Sequence, residues 1–201
     1  MKVTLMKTPA HGIRAIAFAA LVCAIATGLA ACGKGESAAS SGITPKMMAD
    51  SLHAVMESDR VIYTKQVVNR LQQENVIRAN EHWKDAKALP LPAQMFRMGS
   101  EMVSEKTKDF NYALLSLWAV NKQNMPKTDV EKAGLEAVVA KQEPYYSEET
   151  LGGKKYFTAV YPDVAVAEAC INCHNDHEDS PRHDFKMGET MGGVVVRIPM
   201  I

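Results

Sequence analysis

Cys170, Cys173 and His174 are the residues of this 201-residue chain whose types and spacing carry chemistry most directly. They form the run Cys170-Ile171-Asn172-Cys173-His174, a C-x-x-C-H pattern. In that pattern two thiols add across the two vinyl groups of a porphyrin, and the adjacent imidazole becomes the proximal ligand of the iron. The spacing is restrictive, because one short turn must offer both sulfurs to one porphyrin edge and leave the imidazole beneath the metal. Two other chemistries use similar residues. A C-x-x-C pair can be a thiol redox motif or a small-loop disulfide. Cys170, Cys173, His177 and His183 could also supply two thiolates and two imidazoles to zinc, although the gap between the second Cys and the first His is far shorter than in zinc fingers.

The N-terminus favours the first chemistry, because c-type haem is attached outside the cytoplasm. Lys2, Lys7 and Arg14 form a basic start, and residues 15–31 follow as an apolar stretch without an acid. This reads as an export signal over residues 1–31. It ends Leu29-Ala30-Ala31-Cys32, the pattern of a bacterial lipobox in which cleavage precedes a Cys that is then lipidated. At roughly 0.8 kcal/mol per buried methylene, several acyl chains on Cys32 anchor stably where one would not. Residues 32–43 are small and polar, as expected of a flexible tether. Gly33 stands where an inner-membrane retention signal would place Asp, which favours a periplasmic domain lipid-anchored to the outer membrane. The remaining cysteines are then accounted for: Cys23 leaves with the signal, and no structural disulfide is expected.

About 170 residues remain after the signal, and residues 44–201 suit one domain. Removing the three basic residues of the signal leaves 20 basic against 23 acidic side chains. A faintly acidic domain with no basic block excludes nucleic acid as the expected partner. Thr44-Pro45 starts a helical pattern that runs to about residue 75, and Leu89-Pro90-Leu91-Pro92 breaks the chain into a loop. A helix is predicted over 93–105, a strand over 112–120, a helix over 127–140, and strands over 155–161 and 194–199. The haem motif is expected in a C-terminal loop between the last two strands. The order gives an α+β domain with an antiparallel sheet, a long N-terminal helix and flanking helices, unlike a small all-helical cytochrome.

From Leu52 to Ile201 the chain resembles a bacterial family of periplasmic c-type haem domains with a PAS-like fold. The resemblance is carried by Arg60 with Tyr63, Leu91-Pro92-Ala93, Asn121 to Pro126, Tyr161-Pro162, the run Ala169 to His174, and Gly188-x-x-x-Gly192. It implies a PAS-like sheet packed against one covalent haem c, with an N-terminal helix reaching over the far side. It also implies a sensory role, redox sensing in the free-standing members. This chain carries no kinase, cyclase or methyl-accepting segment, so a signalling partner, or a redox partner, is expected in the cell envelope. Some members are thought to use a distal Cys, and no mature Cys is free for that here.

The sixth iron position decides the mechanism, since a strong ligand suits electron transfer and a weak or missing one leaves room for NO or CO. His53 on the first helix is the first candidate and Met95 the second, with His82, Met98 and Met102 behind them. Arg60 and Arg182 are candidate propionate partners, because guanidinium pairs bidentately with carboxylate. His177 and His183 could hydrogen-bond a propionate. No distal acid–base set is evident, so an enzymatic role such as a haem peroxidase is not expected. The expectation is a membrane-tethered mono-haem protein that senses redox state or a diatomic gas, with a periplasmic electron-transfer cytochrome as the alternative.

Overall fold

A computed structural model describes residues 42–200. The signal segment, Cys32 and most of the tether lie outside the described residues. Thr44 accepts a hydrogen bond from Met47 N and Pro45 follows it, so α1 (Pro45–Ile62) begins where the sequence places a helix start. It continues as a π-helical segment (Tyr63–Asn69) into a short α2 (Arg70–Gln73). Then come α3 (Pro92–Lys106), β1 (Asn111–Leu115), α4 (Asp129–Lys141), β2 (Tyr145–Leu151), β3 (Lys154–Val164), α5 (Glu168–Asp176) and β4 (Thr190–Pro199).

The four strands form one antiparallel sheet in the order β1-β4-β3-β2. Alternation along β4 explains its long apolar run. Val194, Val196 and Ile198 face a core shared with Ala49 of α1 and Phe96 of α3, while Val195 faces Leu135 and Val138 of α4. Both faces of the central strand are therefore covered by helices, and a strand buried on both faces has no polar side to show.

Three sequence expectations change. The apolar run 112–120 is a strand only to Leu115. There the Ser116 hydroxyl donates to Met191 O and accepts from Trp118 N, which turns the chain out of the sheet. Strand β2 was not expected; Gly152 and Gly153, both at positive φ, close a two-residue hairpin between Leu151 and Lys154. Finally, Cys170, Cys173 and His174 lie on a helix rather than in a loop. Their i, i+3, i+4 spacing is that of one helical face, a signal the motif itself contained.

A buried polar network fastens α4 to the sheet. Arg197 of β4 pairs with Glu149 of β2 at 2.6 Å and with Glu131 of α4 at 2.8 Å. Their side chains are 12%, 6% and 5% exposed, so each charge depends on the others. Burial pushes the Glu149 carboxyl up, but hydrogen bonds from Thr158 and Arg197 outweigh it and hold the group below its ordinary value. Arg197→Met therefore strands two carboxylates and is expected to cost about 3–5 kcal/mol in urea denaturation at pH 7. Because the folded pKa of Glu149 is depressed, its contribution is full above its unfolded value of about 4.3 and is lost as pH falls through the folded value. The urea midpoint of the parent chain should decline on acidification below that point, and the decline should be shallower in Arg197→Met.

Candidate functional site

The three motif residues open into one cleft of about 620 Å³, within the roughly 300–1,000 Å³ of small-molecule and cofactor sites. Helix α5 forms one wall with Cys170, Cys173 and His174. Another wall comes from the run of α1, the π segment and α2, where Arg60, Thr64, Val68 and Gln72 all line the cleft. Residues four apart drift around an ordinary α-helix, and the wider π turn over Tyr63–Asn69 offsets that drift. A stretch of π-helix is thus what keeps four successive turns aimed at one space. Thr64 supports the local geometry by donating to Arg60 O at 2.7 Å.

The start of α3 closes another side with Leu91, Pro92, Ala93, Gln94 and Arg97. The Tyr63 hydroxyl donates to Pro90 O at 2.8 Å, tying the proline loop to the π segment. At the floor, the β3–β4 register slips between Asp163 and Val164, so that Met191 has no partner between Gly192 and Thr190. This bulge sets Asp163, Val164, Met191 and Gly192 in the cleft wall, a use of bulges common beside functional sites. Gly192 has a steric reason to be glycine, because a Cβ there would meet Leu115 O and lie 3.2 Å from Ser116 Cβ.

Arg60 and Asp163 form an ion pair in the cleft wall, with side chains 12% and 13% exposed. The Arg60 Nε is buried with no hydrogen-bond partner among the described residues, so the guanidinium retains donor capacity for an anionic group. Burial lowers the His174 pKa, with the Asp163 charge acting the other way, and this keeps the imidazole neutral and its lone pair available to a metal. Burial pushes the Cys170 thiol up, and partial desolvation with the Glu81 charge does the same to Cys173. Raised thiols are the opposite of what an activated redox thiolate needs. Both are free cysteines. These residues fit a covalent haem: two thiols and a neutral imidazole on one helical face, a cleft of suitable volume, and a guanidinium with a spare donor.

The other candidates are placed as follows. His53 is not in the cleft lining; its ring stacks on Tyr161 at 3.9 Å and 9°, and its Nδ1 lies 3.9 Å from Glu57. The helix does cross the sheet, but the turn carrying His53 packs on β3, two turns before the residues that reach the cleft. Met95, Met98 and Met102 of α3 and the exposed His82 likewise stand outside the lining. Arg182 is committed elsewhere, paired with Asp184 at 2.6 Å and Glu189 at 3.0 Å. His183 Nδ1 bonds to Asn175 O; among the described residues no group of three His, Cys, Asp or Glu side chains, the Cys170, Cys173, His177 and His183 set included, is placed to hold a metal ion. His177 does line the cleft, with its Nε2 3.5 Å from Glu81 and its Nδ1 accepting from Asp179 N. Sequence reasoning did not single out Asp163, Thr64, Val68 or Met191. Only the bulge register and the π segment bring them to the site, and neither has a local sequence signal.

Comparison with known proteins came to the same fold. A family model described as Tll0287-like matches residues 42–199. The crystal structure of the cyanobacterial heme-protein Tll0287 aligns with a TM-score of 0.51 at 13% identity, covering 79% of this chain and 98% of that chain. No curated protein matches the sequence. The α+β architecture with its antiparallel sheet is shared with that solved structure.

The thiol environment is open to direct test. In the haem-free chain, alkylation of Cys170 and Cys173 by iodoacetamide should accelerate only above the ordinary thiol value of about 8.5. A midpoint at or below neutrality would show an activated thiolate pair instead.

Proposed function

The chain belongs to the Tll0287-like family, and from that premise we propose that it is a mono-haem c-type protein that senses redox state or a diatomic ligand from the cell envelope. The observation that carries this reading is the convergence of Cys170, Cys173 and His174, from one helix, on a single cleft of about 620 Å³ that Arg60 also lines. Cys170 and Cys173 hold the group by thioether bonds, and His174 binds its iron. When bound, the haem supplies a one-electron couple and a metal position for small ligands.

The chain's own residues do the rest. The two raised thiols remain protonated until attachment. His174 stays neutral by burial. Arg60, held at the cleft wall by Asp163, would pair its guanidinium with a propionate, and the charge-assisted bond would also offset the guanidinium's own burial. Val68, Leu91 and Ala119 exclude water from the cleft walls. The π segment is the element suited to report occupancy, because it lines the cleft through Thr64 and Val68 and continues directly into α1. A ligand that favours one winding of that segment over another shifts its population. Export, lipidation at Cys32 and tethering to the outer membrane through residues 32–43 belong to the same proposal, as does an envelope partner that reads the change.

A periplasmic electron-transfer cytochrome is the second reading. It is favoured by Met191, which joins His174 in the cleft lining and carries a thioether able to ligate iron.

A CO titration of the reduced, matured protein tests the gas-sensing form of this reading. A shifted Soret band is expected for a gas sensor with a displaceable sixth position, and a low-spin spectrum indifferent to CO leaves redox sensing or electron transfer. Cys170→Ala with Cys173→Ala should remove haem that survives denaturing electrophoresis. His53→Ala should leave the visible spectrum unchanged, since that ring stacks on Tyr161 away from the cleft; a changed spectrum would return His53 to the iron.

A further inference from the structure

His174 has an orientation problem. A metal-bound imidazole is ordinarily aimed by a hydrogen bond from its other nitrogen to a carbonyl or carboxylate. Here Nδ1 of His174 is buried without a hydrogen-bond partner among the described residues. Its ring is nevertheless contacted from one side by Phe185, with centroids 5.7 Å apart and planes at 86°. Phe185 is 3% exposed and packs with Ala165 and Met191, and it does not line the cleft, so it meets the imidazole from behind.

Phe185 is itself held by the residue next to His174. The Asn175 amide Nδ2 donates to Phe185 O at 2.9 Å, and Oδ1 accepts from Phe185 N at 2.9 Å. One side chain thus mimics a pair of strand hydrogen bonds and folds the segment after α5 back over the haem motif. The outer face of Phe185 is covered by the Arg182 guanidinium, 4.3 Å from its ring centroid and 4.9 Å from that of Trp118. Ion pairs to Asp184 and Glu189 fix that guanidinium. Trp118 also meets Phe185 directly, edge-to-face with centroids 5.7 Å apart, and the clamp is anchored to the same helix that carries the ligand.

We infer that Phe185, clamped by Asn175, is the positioning residue for the His174 imidazole: an edge-to-face contact sets the ring plane where a hydrogen bond does so in other metal sites. This rests on the haem reading, because it concerns the plane that an iron-bound imidazole adopts. Edge-to-face geometry has its own preference beyond simple packing, so a leucine of similar bulk keeps the core filled without restoring the orientation.

The test uses the full chain matured in cells that attach c-type haem, with Phe185→Leu, Asn175→Ala and, as a control, Glu168→Gln in the exposed first turn of α5. Covalent haem content is measured first, then the electron paramagnetic resonance of the oxidised protein and the midpoint potential. Phe185→Leu and Asn175→Ala are expected to keep the parent haem content while the low-field resonance shifts and broadens and the potential moves. Glu168→Gln should match the parent. Spectra and potentials superimposable on the parent in haem-loaded variants would overturn the inference and leave the haem reading intact. An equal change in Glu168→Gln would assign the effect to α5 as a whole and also overturn it. A parent chain with no covalent haem would instead bring down the haem reading. Should Phe185→Leu fail to mature, Asn175→Ala decides alone, since it leaves the phenyl ring in the chain.

Discussion

One helical turn puts Cys170, Cys173 and His174 on a common face, and the domain is arranged to give that face a walled cleft. The helix that does this is short, nine residues, and has no side-chain N-cap. Its stability therefore comes from tertiary contacts rather than from propensity. Cys170 and Ile171 pack against Ala165, Phe185 and Met191, and Asn175 ties the following segment back with two hydrogen bonds. Everything downstream in function depends on this helix holding its register.

The sheet serves the cleft through its irregularities. Regular pairing of β3 with β4 buries Val194 to Val196 and builds the core, but the site begins where that pairing slips. The bulge frees Met191, and Asp163 there meets Arg60 arriving from α1. A buried ion pair is a poor source of net stability, because desolvation cancels much of the attraction. Its value here is positional: it fixes a cation at the cleft wall with one donor still unused. The same logic separates this pair from the Arg197, Glu131 and Glu149 network, whose donors and acceptors are directed at one another and which fastens α4 to the sheet.

Asp50 fastens the other half of α1. Its Oδ1 accepts from both Tyr146 and Tyr161, and Lys46 bonds Oδ2 at 2.6 Å. Burial pushes the Tyr161 hydroxyl far up, and its bond to the Asp50 carboxylate adds to the rise. The first half of α1 is thus locked to β2 and β3, where His53 stacks, while its continuation through the π segment reaches the cleft. A single helical run has two jobs, and the division falls between His53 and Arg60.

Residue types and short-range spacing were sufficient for what depends on local chemistry. The C-x-x-C-H run marks the site, Thr44-Pro45 marks a helix start, the proline run Leu89 to Pro92 marks the break before α3, and the β-branched run before Pro199 marks a buried strand. Arg60 and Arg182 could both be named because guanidinium pairs bidentately with carboxylate, but only Arg60 lines the cleft. What depends on three-dimensional aim could not be read this way. His53 and Met95 are chemically able ligands, but which turn of a helix meets the cleft is set by how α1 lies on the sheet. That in turn rests on Asp50, Tyr146 and Tyr161, which are 96 and 111 residues apart in sequence from the carboxylate they bind. The π segment, the slipped register at Asp163, and the Phe185 ring behind His174 are likewise products of packing between distant elements. A sequence pattern reports which atoms can bond; only the folded backbone decides which of them meet.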